Sequence, residues 1–505
     1  MKPKLIDMQQ PTTPDASDPA TVAAGRETAR DDRTGALVGD RDDVALERDL
    51  GERVDLLFPS AVARLAELVR IPSVSWASFD PEHVERSAAR VAEIVRALGV
   101  FERVDVLRSN RADGTPGQPA VVAVRPAPDG APTVLLYAHH DVQPPGDEDG
   151  WRTPAFEPTV VGDRLYGRGA SDDKAGIALH LAAIEALRDV TGGDLPLGLA
   201  LFIEGEEEDG SPSFDRFLAD HGDALRADAI IVADSENPSV STPGLTVSLR
   251  GNITFRLTVR TLEHAWHSGM FGGAVPDAVL AMVRTLDSLW GPDGGVAVAG
   301  LTAREGADPG IEGDERRIVE AGLHGAATPI GRGSVRDRTA NQPAITVTGI
   351  DAPSVATASN TLVPSVSARV SVRVAPGQDA DAARDAVVAH LRAHAPFGAT
   401  VEMSEFDIGQ GFLVDHGTPA VTTMLDAMRD TWGSEPALVG IGGSIPFIAS
   451  LVERYPDAQI LVTGVEDPAT MAHSPNESQH LGVLRRATQA EARFLLRFGR
   501  GVAER

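Results

Sequence analysis

The chain of 505 residues contains no cysteine. That excludes a disulfide framework, thiolate metal ligands, iron–sulfur clusters and a thiol nucleophile, so any metal must be held by His, Asp and Glu. Lysine is almost as scarce: Lys2, Lys4 and Lys174 are the only three. Basic residues are outnumbered, 46 Lys and Arg against 73 Asp and Glu, a net charge of −27. So acidic a surface repels phosphate backbones and anionic lipid, which argues against nucleic acid and membrane partners. No apolar run approaches the ~18 residues of a membrane span. The opening MKPKLIDMQQPTTP lacks the apolar stretch of a secretory signal, so a cytoplasmic protein is expected.

What is present is an ordinary globular composition, 42% hydrophobic and 24% charged. Residues 1–50, rich in Asp, Arg, Thr, Ala and Pro, read as a mostly disordered tail. Order is expected from Phe58-Pro59-Ser60, with Ser60 capping a helix that carries Val62, Leu65, Leu68 and Val69 on one face. A second helix is expected over 81–98. Short, wholly apolar strands then alternate with helices: Thr133 to Ala138, Leu199 to Ile203 and Ala229 to Ala233, with a helix over Ala175 to Val190. This pattern predicts an α/β domain with both sheet faces covered. From Thr246 the segments TVSLRG, ITFRLTVR, AITVTGI and SARVSVRVAP alternate with period two, as in an antiparallel sheet with one solvated face. Helices are expected over 276–290 and 379–395, loop over 291–315, and α/β character again after Pro376, with a strand at Ile460 to Thr463 and a last helix from 482. The organisation expected is a catalytic α/β domain (51–244 and 377–505) interrupted by an α+β insert (245–376).

Five segments carry chemistry. In Tyr137-Ala138-His139-His140-Asp141, His139 and Asp141 are two apart at a strand end and so face the same way. That suits an imidazole ligand held by a carboxylate, although a polar turn would look the same. Gly167-Arg168-Gly169-Ala170-Ser171-Asp172-Asp173-Lys174 precedes a helix, but Asp172 stands where a dinucleotide loop needs a third glycine and would repel a pyrophosphate. Lys174, the sole lysine of the ordered body, suggests a positional need. Glu204-Gly205-Glu206-Glu207-Glu208-Asp209 is either a solvated acidic turn or a cation site. Asp234 directly follows a strand, and His473 follows another after a loop. Carboxylates and imidazoles at the C-terminal ends of several strands of one sheet converge on its ligand crevice. Two histidines with three or four carboxylates suit a pair of divalent ions, Zn²⁺ first, with Mn²⁺ or Co²⁺ also fitting. One carboxylate must bridge them.

Together, YAHHDVQP (137–144), LYGRGASDDK (165–174) and EGEEEDGS (204–211) resemble the metal motifs of the M20 metallopeptidases, a resemblance running from about residue 55 to the C-terminus. It implies a dinuclear-metal exopeptidase-like catalytic domain with an inserted lid and dimerisation domain. It also implies that His139 and Asp234 hold one metal, Glu208 and His473 the other, and that Asp172 bridges both, its own peptide bond to Asp173 being cis. Asp141 orients His139, Glu207 is the general base, and His267, in WHSG, reaches into the partner's site of a homodimer. Arg373 takes the substrate carboxylate, and Gly442-Gly443-Ser444 is the substrate loop. The sequence departs from the family pattern at His140, and at Thr418, where carnosinase-type members carry a histidine before the proline. His416 lies two residues earlier. The reaction implied is hydrolysis of dipeptides or short peptides with a free C-terminal carboxylate. An N-acyl amino acid deacylase or desuccinylase is the alternative within the family, and a metal-binding protein without catalysis the alternative outside it. The presence of Glu207 speaks against the latter. Ser444 lacks the second glycine of a nucleophile elbow, which excludes a serine hydrolase.

Overall fold

The computed structural model describes residues 33–306, 318–319, 321–443 and 446–501. Glu47–Arg505 form one compact unit, which holds both sheets and every site below; the helix Arg33–Val69 begins before it.

The helix runs through Phe58-Pro59-Ser60 instead of starting there, and residues 33–50, expected to be disordered, are helical. The reason lies in its two faces. Leu50, Val54, Ala61, Leu65 and Leu68 are buried along one side, while Asp55 and Pro59 are exposed on the other. The Asp55 carbonyl, which Pro59 leaves without its helical N–H, is on the side where water can serve it. Residues 1–32 lie outside the described residues.

A nine-stranded sheet forms the larger body. Its order is Arg103–Leu107, Ala120–Arg125, Gly198–Glu204, Thr133–His139, Ala229–Val232, Gln459–Val462, Gly244–Leu249 and Phe412–Leu413, with Ala437–Ile441 also paired to Gly244–Leu249. The four strands Gly198–Glu204, Thr133–His139, Ala229–Val232 and Gln459–Val462 are mutually parallel, so their C-terminal ends lie side by side. Helix Lys174–Thr191 packs on strand Thr133–His139 and on the last helix, Leu481–Gly501. The aromatic residues Tyr137, Phe202, Phe214, Phe217 and Phe447 fill a core under helices Phe214–His221 and Pro446–Arg454. Both faces are covered, as a parallel sheet requires.

A second sheet is antiparallel, in the order Ala344–Asp351, Ser365–Val374, Gly251–Arg260 and Thr400–Gly409. One face (Ile253, Phe255, Leu257, Val259, Val370 and Val372) packs against Ala281 and Met282 of helix Ala278–Asp287 and Val387 and Leu391 of helix Ala380–Ala393. The other face carries the exposed Arg256–Glu405 and Arg369–Glu405 ion pairs. Two segments fall on the other side of the division expected from periodicity. TVSLRG belongs to the large sheet through Gly244–Leu249, because Thr246 and Ser248 are buried, Thr246 within 2.7 Å of the Ser235 hydroxyl. Thr400–Gly409, expected in the catalytic body, is an edge strand of the small sheet. The small sheet therefore draws its strands from residues 251–409.

Candidate metal centre

Every candidate ligand sits at the C-terminal end of one of the four parallel strands or in a loop pinned beside them. His139 is the last residue of its strand. Its Nδ1 lies 3.1 Å from the Asp141 carbonyl oxygen and 3.4 Å from Asp141 Oδ1, leaving Nε2 to face Asp172 Oδ1 at 3.1 Å. The Asp141 carboxylate also accepts the backbone N–H groups of Glu207 (3.2 Å) and Glu208 (3.1 Å). One buried carboxylate thus sets both the first histidine and the turn Glu207–Asp209 that follows strand Gly198–Glu204. Gln143 holds Glu208 from the side, Nε2 donating to Oε2 at 2.7 Å and its backbone N–H to Oε1 at 3.1 Å.

Asp172 comes from the loop before helix Lys174–Thr191, and its bond to Asp173 is cis, as the resemblance implied. Asp173 caps that helix, Oδ1 accepting from Gly176 N, while Oδ2 accepts from His139 N. Gly169, at φ 77°, turns the loop where a Cβ would strike Val142. The small sheet of Thr159–Val161, Arg164–Tyr166 and Ser478–His480 brings the His473 loop alongside. Glu477 then stitches the two loops together: Oε1 accepts from Ser171 N and Asp172 N, and Oε2 from Gly169 N and Arg168 Nη1. His473 has a left-handed backbone, φ 59°, and its Nε2 lies 2.9 Å from Asp172 Oδ2 and 3.3 Å from Glu208 Oε2. Asp172 therefore turns one oxygen to each histidine.

Lys174 meets the positional need its isolation suggested. It is buried, and Nζ donates to the carbonyls of Leu68 (3.0 Å) and Ile71 (2.7 Å) at the end of the first helix. Burial pushes it down to about 7. Both carbonyls also accept a backbone N–H, Leu68 O from Ile71 and Ile71 O from Ser73, so Lys174 ties together a turn already closed by the main chain. His140 points away from the centre, Nε2 on Pro119 O at 2.8 Å, and burial pushes it down to about 4.

Burial pushes Glu207 and Glu208 well up, with Asp234 adding to the first and Asp172 to the second. Burial and the Asp172 charge push Asp234 up to about 6. Asp172 behaves oppositely: burial works to raise it, but the hydrogen bonds of His139 and His473 hold it below the usual carboxylate range. The ligand atoms of His139, Glu207 and Asp234 lie within 4.8 Å of one another, as do those of His139, Asp172 and Glu208. Oxygen and imidazole donors this close, carrying more negative charge than two imidazoles offset, fit divalent cations.

Residues 135–497 match the model of peptidase family M20/M25/M40. The chain belongs to that family. Among its relatives, the cysteinylglycine-S-conjugate dipeptidase of Corynebacterium striatum is 34% identical over 431 residues, covering 83% of this chain and 92% of that protein. The β-Ala-His dipeptidase of Rattus norvegicus is 32% identical over 259 residues, 50% of this chain and 52% of that one. The structure of the di-peptidase Dug1p from Saccharomyces cerevisiae superposes with a TM-score of 0.70 at 22% identity, over 90% of this chain and 98% of that one, a likeness of fold.

The remaining expected site residues of this M20 peptidase lie elsewhere. His267 is on the exposed two-residue strand Trp266–His267, and its Nδ1 accepts the N–H of Gly269. Arg373 lies near the end of strand Ser365–Val374, beside Arg250. Gly442 and Gly443 follow strand Ala437–Ile441; Ser444 lies outside the described residues. His416 is exposed before helix Pro419–Trp432. Sequence reasoning missed Gln143, Asp173 as a cap, and Glu477. Gln143 and Asp173 stand inside motifs already singled out and Glu477 lies in the loop after His473, and only their partners in the structure reveal their work. No described helix is long and apolar enough to cross a membrane.

Proposed function

We propose that this M20 peptidase is a dinuclear metal-dependent dipeptidase that hydrolyses the amide bond of dipeptides or short peptides with a free C-terminal carboxylate. The observation that carries the reading is Asp172, its two oxygens divided between His139 and His473, with the Glu208 carboxylate beside it and its charge acting on Asp234. His139, Asp172 and Asp234 would hold one ion, Zn²⁺ being the metal expected, and Asp172, Glu208 and His473 the other. When bound, the two ions supply an acidified water and a positive pole for the carbonyl. Glu207 takes the proton of the attacking water and returns it to the leaving amine. Arg373 holds the terminal carboxylate in a two-pronged fork. Gly443 and Ser444 shape the loop beside the substrate.

The preference for dipeptides rests on the Corynebacterium striatum relative, matched over nearly its whole length. A panel of dipeptides and N-acyl amino acids, assayed on metal-free enzyme given Zn²⁺, Mn²⁺ or Co²⁺, tests it. Dipeptides should be cleaved and their C-terminal amides cleaved poorly. Faster turnover of N-acyl amino acids would favour the deacylase reading instead.

The exposure of His267, outside the ligand cluster, supports a homodimer in which it serves the partner's site and polarises the substrate carbonyl there. His267→Ala subunits mixed with Glu207→Gln subunits, each nearly inactive alone, should regain activity. One site of each heterodimer then carries both lesions and the other none. A mixture that forms heterodimers and stays inactive would rule the shared site out.

A further inference from the structure

Arg250 is the residue between the last strand residue of the large sheet's Gly244–Leu249 and the first of the small sheet's Gly251–Arg260. It is therefore the covalent crossing point from the catalytic body to the insert. Its side chain is buried. It reaches back to the catalytic body, Nε donating to the Gly442 carbonyl at 3.0 Å. It also reaches into the insert, Nη1 lying 3.4 Å from the carbonyls of both Arg338 and Gln342. Arg338 belongs to helix Val335–Ala340, and Gln342 precedes strand Ala344–Asp351.

The same contact is tight from the loop side. A Cβ at Gly442 would come within 2.3 Å of the Thr339 carbonyl and 2.9 Å of Arg250 Nη2. A Cβ at Gly440 would meet Ser248 Oγ at 2.8 Å and Ala340 Cβ at 3.0 Å. At Gly442 the loop lies too close to the Thr339 carbonyl of the helix for any side chain, and glycine is required there by space. Arg373 stands close by: burial and the Arg373 charge push Arg250 down to about 10.

We infer that Arg250 is a positioning residue, whose guanidinium locks the Gly442-Gly443 loop to the insert so that the loop and Arg373 meet the substrate carboxylate as one preassembled body. The inference rests on the reading of Arg373 and this loop as the carboxylate end of the site. A single ammonium could keep the charge but could not span three carbonyls on two bodies as a planar fork does.

The test is steady-state kinetics on the metal-loaded enzyme with one dipeptide and its C-terminal amide. Arg250→Lys and Arg250→Gln should behave alike. Each should lose about 100-fold in kcat/KM on the free-carboxylate dipeptide, mostly through KM, the size of effect expected when substrate contacts are misplaced by about 1 Å. The amide should change far less, and two metals per chain should remain. Gly442→Ala, which alters no charge, should reproduce this split from the loop side. Wild-type behaviour of Arg250→Lys would overturn the inference, as would equal losses on acid and amide. A normal KM in Gly442→Ala would overturn it even if Arg250→Gln fails to fold. Arg373→Gln separates the two readings. If it leaves KM for the free-carboxylate dipeptide unchanged, the carboxylate assignment is what fails. If it raises KM while the Arg250 and Gly442 variants do not, the lock alone fails.

Discussion

Glu207→Gln is expected to keep both metal ions and to lose at least ~100-fold in turnover, the usual contribution of a positioned general base. The structure makes this a sharper test than the motif alone would. Glu207 stands one residue before Glu208 in the same turn, and the Asp141 carboxylate fixes the backbone of both. Glu208 is bound from the side by Gln143 and faces His473. Glu207 instead lies where its carboxyl oxygen can approach His139 and Asp234. That position allows two roles, proton carrier or ligand. An amide in place of the carboxylate distinguishes them, because it removes the basic oxygen and changes little in size. Two metals with turnover collapsed is the outcome for a base. One metal lost per chain would make Glu207 a ligand, and near-normal turnover would dismiss it from the chemistry.

The candidate ligands His139, Glu208 and Asp234 were legible in the sequence because each ends, or closely follows, an apolar buried strand. A run such as TVLLYA is apolar for the same physical reason that its end opens on the crevice: it is a central parallel strand with both faces covered. What was illegible is whatever depends on hydrogen bonds to distant backbone. Glu477 makes its contacts with Gly169, Ser171 and Asp172 about 300 positions away in the chain, and no spacing rule reports them. Two strands pair outside the sheets their periodicity suggested for a related reason. Thr246 and Ser248 look like the solvated half of an alternating strand, yet both are buried. At the other end, Thr400–Gly409 alternates poorly because its pairing slips between Ser404 and Asp407, where Glu405 adopts φ 55°. Pro59 misled about the first helix, since proline marks a helix boundary only when no buried face continues past it.

Asp172→Ala is expected to remove both metals together, and with them all measurable hydrolysis. Among the described residues its carboxylate is the one group that contacts both histidines, Oδ1 at 3.1 Å from His139 Nε2 and Oδ2 at 2.9 Å from His473 Nε2. Two dications about 3.5–4 Å apart repel strongly unless an anion lies between them. Removing that anion therefore weakens both sites at once, where the loss of Asp234 or Glu208 would weaken chiefly one. The loop itself should survive, because Glu477 holds it through the backbone N–H groups of Gly169, Ser171 and Asp172, which the substitution leaves in place. Asp173 likewise keeps its cap on the following helix. Elemental analysis after dialysis, with a thermal melt to confirm folding, reads the result. Two tightly retained ions in a folded Asp172→Ala protein would mean that another group bridges. One retained ion would mean that Asp172 serves a single site, and the division of its oxygens between the two histidines would then be hydrogen bonding alone.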